Sequence, residues 1–109
     1  MEKVNDFCIV FVTTETFESA QHISRIIVSE QLAACCTILP NATSIYGWNG
    51  AITESHEYQI VIKTKKNKLE ILEHRITELH PYEIPEIITV DIDSGSKVYL
   101  NWVDGSLSE

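Results

Sequence analysis

The sequence predicts an α+β fold of the ferredoxin-like kind: a βαββαβ sandwich with a long hairpin between its second and third strands and a C-terminal helix. Three observations predict it. Strand-like and helix-like hydrophobic periods follow one another in the order strand, helix, strand, strand, helix, strand. Asn49-Gly50 separates the two middle strand-like runs, and a type I′ turn needs positive φ at both central positions, so these runs pair as a hairpin. Pro81 stops the second helical run at His80, because the residue before a proline is pushed out of the helical region.

Each element has its own signal. Phe7 to Thr13 is a run of β-branched and aromatic residues, apolar on both faces, which predicts a strand covered on both sides. Phe17, Ala20, Ile23 and Ile27 recur at helical spacing, with Thr14 or Thr16 as cap. A second strand starts near Cys35, and Pro40-Asn41 predicts a bulge or bend on an edge strand. On the arm from Ala51 to Lys65, Tyr58, Ile60, Ile62 and Thr64 share one face, while Gln59, Val61 and Lys63 share the other. Asn67 and Glu70 have the spacing of a capping box ahead of the stripe Leu69, Leu72, Ile76, Leu79. The last strand, "EIITVDI", places Ile88, Val90 and Ile92 on one side, and Ser96 to Gly105 reads as a short closing helix. No repeat, linker or low-complexity tract divides the chain, so residues 1–109 form a single domain.

The hairpin is too long for its own helices. Each arm of about 15 residues spans on the order of 45 Å, whereas a helix of about 14 residues covers about 21 Å. The surplus is apolar, with Ile45, Tyr46, Trp48 and Ile52 near the tip. Helices cover only one sheet face, yet both faces of the first strand ask for burial. Another copy of the chain is the simplest cover, against the alternative of a bent hairpin folded back on its own sheet.

Sixteen acidic against eight basic residues give a net charge of −8. Nucleic acid is excluded as a partner on that balance, since the one basic cluster, Lys63 to Lys68, is short. A solvated basic turn or an anion contact beside the helix start are the two readings of those lysines. No run reaches the roughly 20 apolar residues that cross a bilayer, and no signal-peptide pattern precedes the first strand, so the expected location is the cytoplasm. Cys8, Cys35 and Cys36 read as small buried hydrophobes of a reducing compartment; adjacent strand residues point to opposite faces, so Cys35 and Cys36 cannot chelate one ion together.

The stretch "LHPYEIPEI", Leu79 to Ile87, crowds His80, Tyr82, Glu83 and Glu86 around two prolines. It reads either as a stiff helix-to-strand corner or as a corner that also contacts a ligand. Glu70, His74 and Glu78 share one helix face, where a solvated mixed-charge surface is the commoner outcome. No Cys-x-x-Cys, His-Glu-x-x-His, Gly-x-Ser-x-Gly, Walker or dinucleotide pattern occurs. An acylphosphatase-like enzyme shares the topology but needs a phosphate-cradling arginine, and only Arg25 and Arg75 exist, both on helices.

"EQLAACCTILPNATSIYGWNG", "EYQIVIKT", "HPYEIPEI" and "YLNW" closely resemble, in order and in one register from Val10 to Val103, the CutA divalent-cation-tolerance family. The resemblance implies a compact homotrimer whose hairpins wrap neighbouring subunits, tolerance of copper and other divalent metals, and no enzymatic activity. It also implies a metal site using His80 and Glu86 of the HPY-x-x-PE segment with a cysteine from the first strand. Here that strand position is Val12, and Cys8 stands about 13 Å away by strand rise, so the thiolate that suits copper is missing. Tyr46, Trp48, Glu57, Lys63, Tyr82 and Trp102 match the family pattern as residues of a ligand cleft or subunit interface.

Two functions follow as expectations. One is a non-enzymatic trimer that binds copper or a similar divalent cation weakly at an inter-subunit cleft through His80 and Glu86. The other is a PII-like sensor of a small ligand, with Lys63 supplying charge and Tyr46 and Tyr82 bracketing an organic molecule. A ligand-free assembly scaffold is the remaining alternative.

Overall fold

The computed structural model describes residues 1–109. Its elements are β1 (Glu2–Lys3), β2 (Phe7–Thr14), α1 (Phe17–Ser29), β3 (Cys35–Trp48), β4 (Ala51–Lys65), a 3₁₀ turn (Lys66–Lys68), α2 (Leu69–Leu79), β5 (Ile87–Asp91), β6 (Ser94–Gly95) and α3 (Lys97–Gly105). The main sheet has the order β3-β4-β2-β5, and all its pairings are antiparallel. β1 and β6 form a separate two-stranded ribbon.

Thr16 caps α1 by accepting a hydrogen bond from the Ser19 N–H at 3.1 Å. The helix ends at Ser29, and Gln31, at a left-handed φ of 60°, turns the chain into the sheet. The Asn67–Glu70 capping box does not form. A 3₁₀ turn feeds straight into α2, with no side-chain cap on either, and the Leu69 N–H bonds the Lys66 carbonyl instead. Ser96 does cap α3, accepting from the Tyr99 N–H.

One face of the sheet is a packed core. Val10 and Val12 of β2 and Ile60 and Ile62 of β4 lie directly opposite one another and pack beneath Ala20, Ile23 and Ile27 of α1 and Leu72 and Ile76 of α2. A smaller cluster of Phe7, Ala34, Leu100, Val103 and Leu107 anchors α3 at one end of the sheet. Ile92, whose N–H donates to the Phe7 carbonyl at 3.0 Å, joins that cluster.

The other face carries no helix except α3, which covers only its Phe7 end. Register places Ile9 opposite Val90, and Phe11 opposite both Ile88 and Val61, so these residues share it. Ile88 is 56 % and Val90 48 % exposed.

Within the β3–β4 hairpin, Asn49 and Gly50 have φ of 51° and 78°, as a type I′ turn requires. β2 pairs with β4 only over Tyr58–Lys65, so the ribbon from Ala42 to Glu57 runs on without a third strand and gives the chain its long dimension of 45 Å. The Pro40-Asn41 bulge lies between Leu39 and Ala42, with Asn41 at φ 63°. The extra residue inverts the alternation of β3. Cys36 and Ile38 pack toward the helices, but beyond the bulge Ala42, Ser44, Tyr46 and Trp48 stand opposite Glu57, Ser55, Thr53 and Ala51, on the side of the open face.

A carboxylate and aromatic cleft on the open sheet face

That inversion builds the candidate site. Tyr46, Trp48, Ser44 and Ser55 of the outer ribbon face the corner after α2 across a cleft of about 650 Å³. Glu57, Thr13, Glu15, Tyr82, Glu83, Ile84 and Glu86 complete its wall together with Ile45. Four of these residues are glutamates and none is basic.

Glu57 is the most buried of them, at 6 % exposed. Its Oε2 accepts a hydrogen bond from the Tyr82 hydroxyl at 2.8 Å, and this is its only side-chain hydrogen bond. The Tyr82 phenol is pushed well above its usual range, first by burial and then by Glu57, so it stays protonated and donates. Glu86 is exposed at the rim; its carboxyl is nevertheless held above the usual range, first by partial desolvation and then by the Glu57 charge. The Tyr46 phenol is tied at 2.7 Å to the Ser55 hydroxyl.

His80 stands behind this wall rather than in it. Its Nδ1 accepts the Tyr82 backbone N–H at 3.0 Å, so the proton sits on Nε2, which donates to the Thr13 carbonyl at 2.7 Å. Both ring nitrogens are engaged, the side chain is buried, and the ring packs on Tyr82 with centroids 4.7 Å apart. Burial holds its pKa below the ordinary histidine value despite the Thr13 bond and the Glu57 charge. To ligate a metal the imidazole would have to release one of these partners. The geometry is that of a latch joining the α2–β5 corner to the end of β2, which fixes where Tyr82 and Glu86 enter the cleft.

The residues singled out in the sequence thus divide. Tyr46, Trp48, Glu57, Tyr82 and Glu86 meet in the cleft. Lys63 does not line it: on the open face it donates to the Thr37 hydroxyl at 2.8 Å. Trp102 lies on α3, where it packs against Tyr99 with centroids 5.6 Å apart. Glu15 sits between strand and helix with no pattern around it, and only folding brings it into the same cleft wall as Glu57. Ser44 and Ser55 read in the sequence as ordinary strand residues.

No three His, Cys, Asp or Glu side chains within the chain are placed to hold one metal ion. Val12 and Cys8 are fully buried on the helix side of β2, away from the cleft. Cys36 is half-buried, with its thiol pushed up to about 11 by burial. The lysine cluster is internally occupied: Lys65 pairs with Asp6 and Asp104, Lys66 with Asp91, and Lys68 donates to Ser108. Arg75 is held bidentate by Glu30.

A family model described as "CutA1 divalent ion tolerance protein" matches residues 8–106. The divalent-cation tolerance protein CutA of Thermus thermophilus is 39 % identical over 95 residues, covering 87 % of this chain and 92 % of the relative. A solved CutA1 structure from Oryza sativa superposes with a TM-score of 0.94 at 32 % identity, covering 99 % of both chains. A structure from Archaeoglobus fulgidus described as a periplasmic divalent cation tolerance protein superposes with a TM-score of 0.91 at 27 % identity, covering 94 % of this chain and 99 % of that one. With these matches spanning nearly its whole length, the chain belongs to the CutA1 divalent ion tolerance family.

Proposed function

We propose that this protein acts as a homotrimer that binds divalent cations weakly, without catalysing a reaction, in clefts completed between subunits. The observation that carries the reading is Glu57: a carboxylate nine-tenths buried, without a basic partner, in a wall with three further glutamates. Such a group lacks the counter-charge that buried ions require. A cation arriving from solvent supplies it. Glu57 and Glu86 donate oxygens, and water or a neighbouring subunit completes the coordination. Oxygen donors favour hard ions such as magnesium, calcium or manganese. Copper fits less well, because neither a thiolate nor a free imidazole nitrogen reaches the cleft.

Trimer formation is supported by the exposed apolar open face and by the ribbon tip, where Ile45 is 67 % and Ile52 81 % exposed. An apolar surface of this extent is costly to leave in water. No helix is long and apolar enough to cross a membrane. A cytoplasmic site of action remains part of the proposal, supported by three free cysteines.

Isothermal titration of the purified protein with manganese, zinc and copper tests the cation site. Binding to the unmutated protein should be lost in Glu57→Gln and weakened in Glu86→Gln; equal binding by all three proteins would remove the site. Sedimentation at micromolar concentration should give three chain masses, and a monomer would end the assembly reading.

A further inference from the structure

The cleft has more apolar wall than a metal ion can use. A hydrated divalent ion is held by oxygens, yet Tyr46, Trp48 and Tyr82 all line the space beside the four glutamates. Both tyrosine hydroxyls already have partners. The Tyr46 hydroxyl is tied to Ser55 and the Tyr82 hydroxyl to Glu57, and both residues line the cleft. His80, packed against Tyr82 and bonded to its backbone, holds that ring in place. Aromatic rings attract cations over their faces, most strongly for alkylated ammonium ions, whose methyl groups also bury apolar area. Glu57, buried and lacking a basic partner, supplies the matching negative charge. At about 650 Å³ the space is of the size that takes small organic molecules.

We propose that the cleft binds a small organic ammonium ion, with Tyr46, Trp48 and Tyr82 against its alkyl groups and Glu57 against its charge. The proposal rests on the reading of the cleft as a cation site and names a second class of ligand for it. A divalent ion and the ammonium compete for Glu57, but only the ammonium uses the rings.

The test is calorimetric titration of the full-length protein with choline and with 3,3-dimethyl-1-butanol, which has the same shape and no charge. Choline is expected to bind at least tenfold more tightly than the alcohol and to be displaced by manganese. Trp48→Leu should weaken choline at least tenfold and by a larger factor than it weakens manganese, and Glu57→Gln should weaken both. Equal binding of choline and the alcohol overturns the proposal, as does absence of choline binding while manganese still depends on Glu57; the cation site survives that second outcome. If Glu57→Gln changes neither ligand, the cation site itself falls. Light scattering on each variant monitors assembly, and should Trp48→Leu fail to assemble, the choline and alcohol comparison on the unmutated protein still decides.

Discussion

The two halves of the β3–β4 ribbon are built from similar residues and meet different fates. Inside the Pro40-Asn41 bulge, Ile60 and Ile62 are fully buried under α1 and α2. Beyond it, Ile45, Trp48 and Ile52 are at least half exposed, although the backbone pairing is equally regular. Hydrophobicity therefore does not separate the halves; what separates them is whether the chain itself provides a cover. The inner half stabilises the fold, and the outer half has no cover within the chain.

The sharpest way to probe that difference is from the inner half. Ile62→Ala should cost about 2–5 kcal/mol, read by denaturant unfolding, because the cavity lies where helices and sheet cannot collapse. Ile52→Asp, with the same loss of apolar side chain at the tip, should leave the far-UV spectrum unchanged while sedimentation shows lower mass. Similar loss of secondary structure in both variants would break the distinction between the halves.

Next in size is the latch. His80→Gln should destabilise by about 1–3 kcal/mol at pH 8 through loss of buried hydrogen bonds. Its pH dependence has a definite sign. Burial lowers the folded-state pKa, so as pH falls below about 6.5 the unfolded chain takes up a proton that the folded protein resists. The unmutated protein should lose stability across that window down to the folded pKa, and His80→Gln should lack this component of the slope.

The bulge itself comes third. Asn41 tolerates its left-handed φ better than branched residues do, so Asn41→Val should cost about 1–2 kcal/mol and Asn41→Gly nearly nothing, by thermal melts. The smallest effect belongs to Glu86. Its carboxyl is raised in the folded state, so its ionised form opposes folding. Glu86→Gln should raise Tm slightly at pH 7 in metal-free buffer, and the gain should vanish below the usual carboxylate range.

Much of this was legible in the residue order. The alternation of Ile60 and Ile62 with Val61 and Lys63 placed β4's faces correctly, and Asn49-Gly50 and Pro40-Asn41 announced the turn and the bulge. The α2 start differs from the pattern: Asn67 has the spacing of a cap, but it falls inside a 3₁₀ turn that runs straight into the helix. His80 was legible as important and not as a latch, because its two partners, Thr13 and Tyr82, lie on opposite sides of it and one is 67 positions away.

The sequence by itself determined the elements, their order and the surplus of apolar ribbon, because period, turn chemistry and strand length act over neighbouring residues. Tertiary structure alone decided the cleft. One added residue at the bulge inverts a face, and that inversion, together with the His80 latch, brings Tyr46, Trp48, Glu57 and Tyr82 together from segments that carry no local sign of one another.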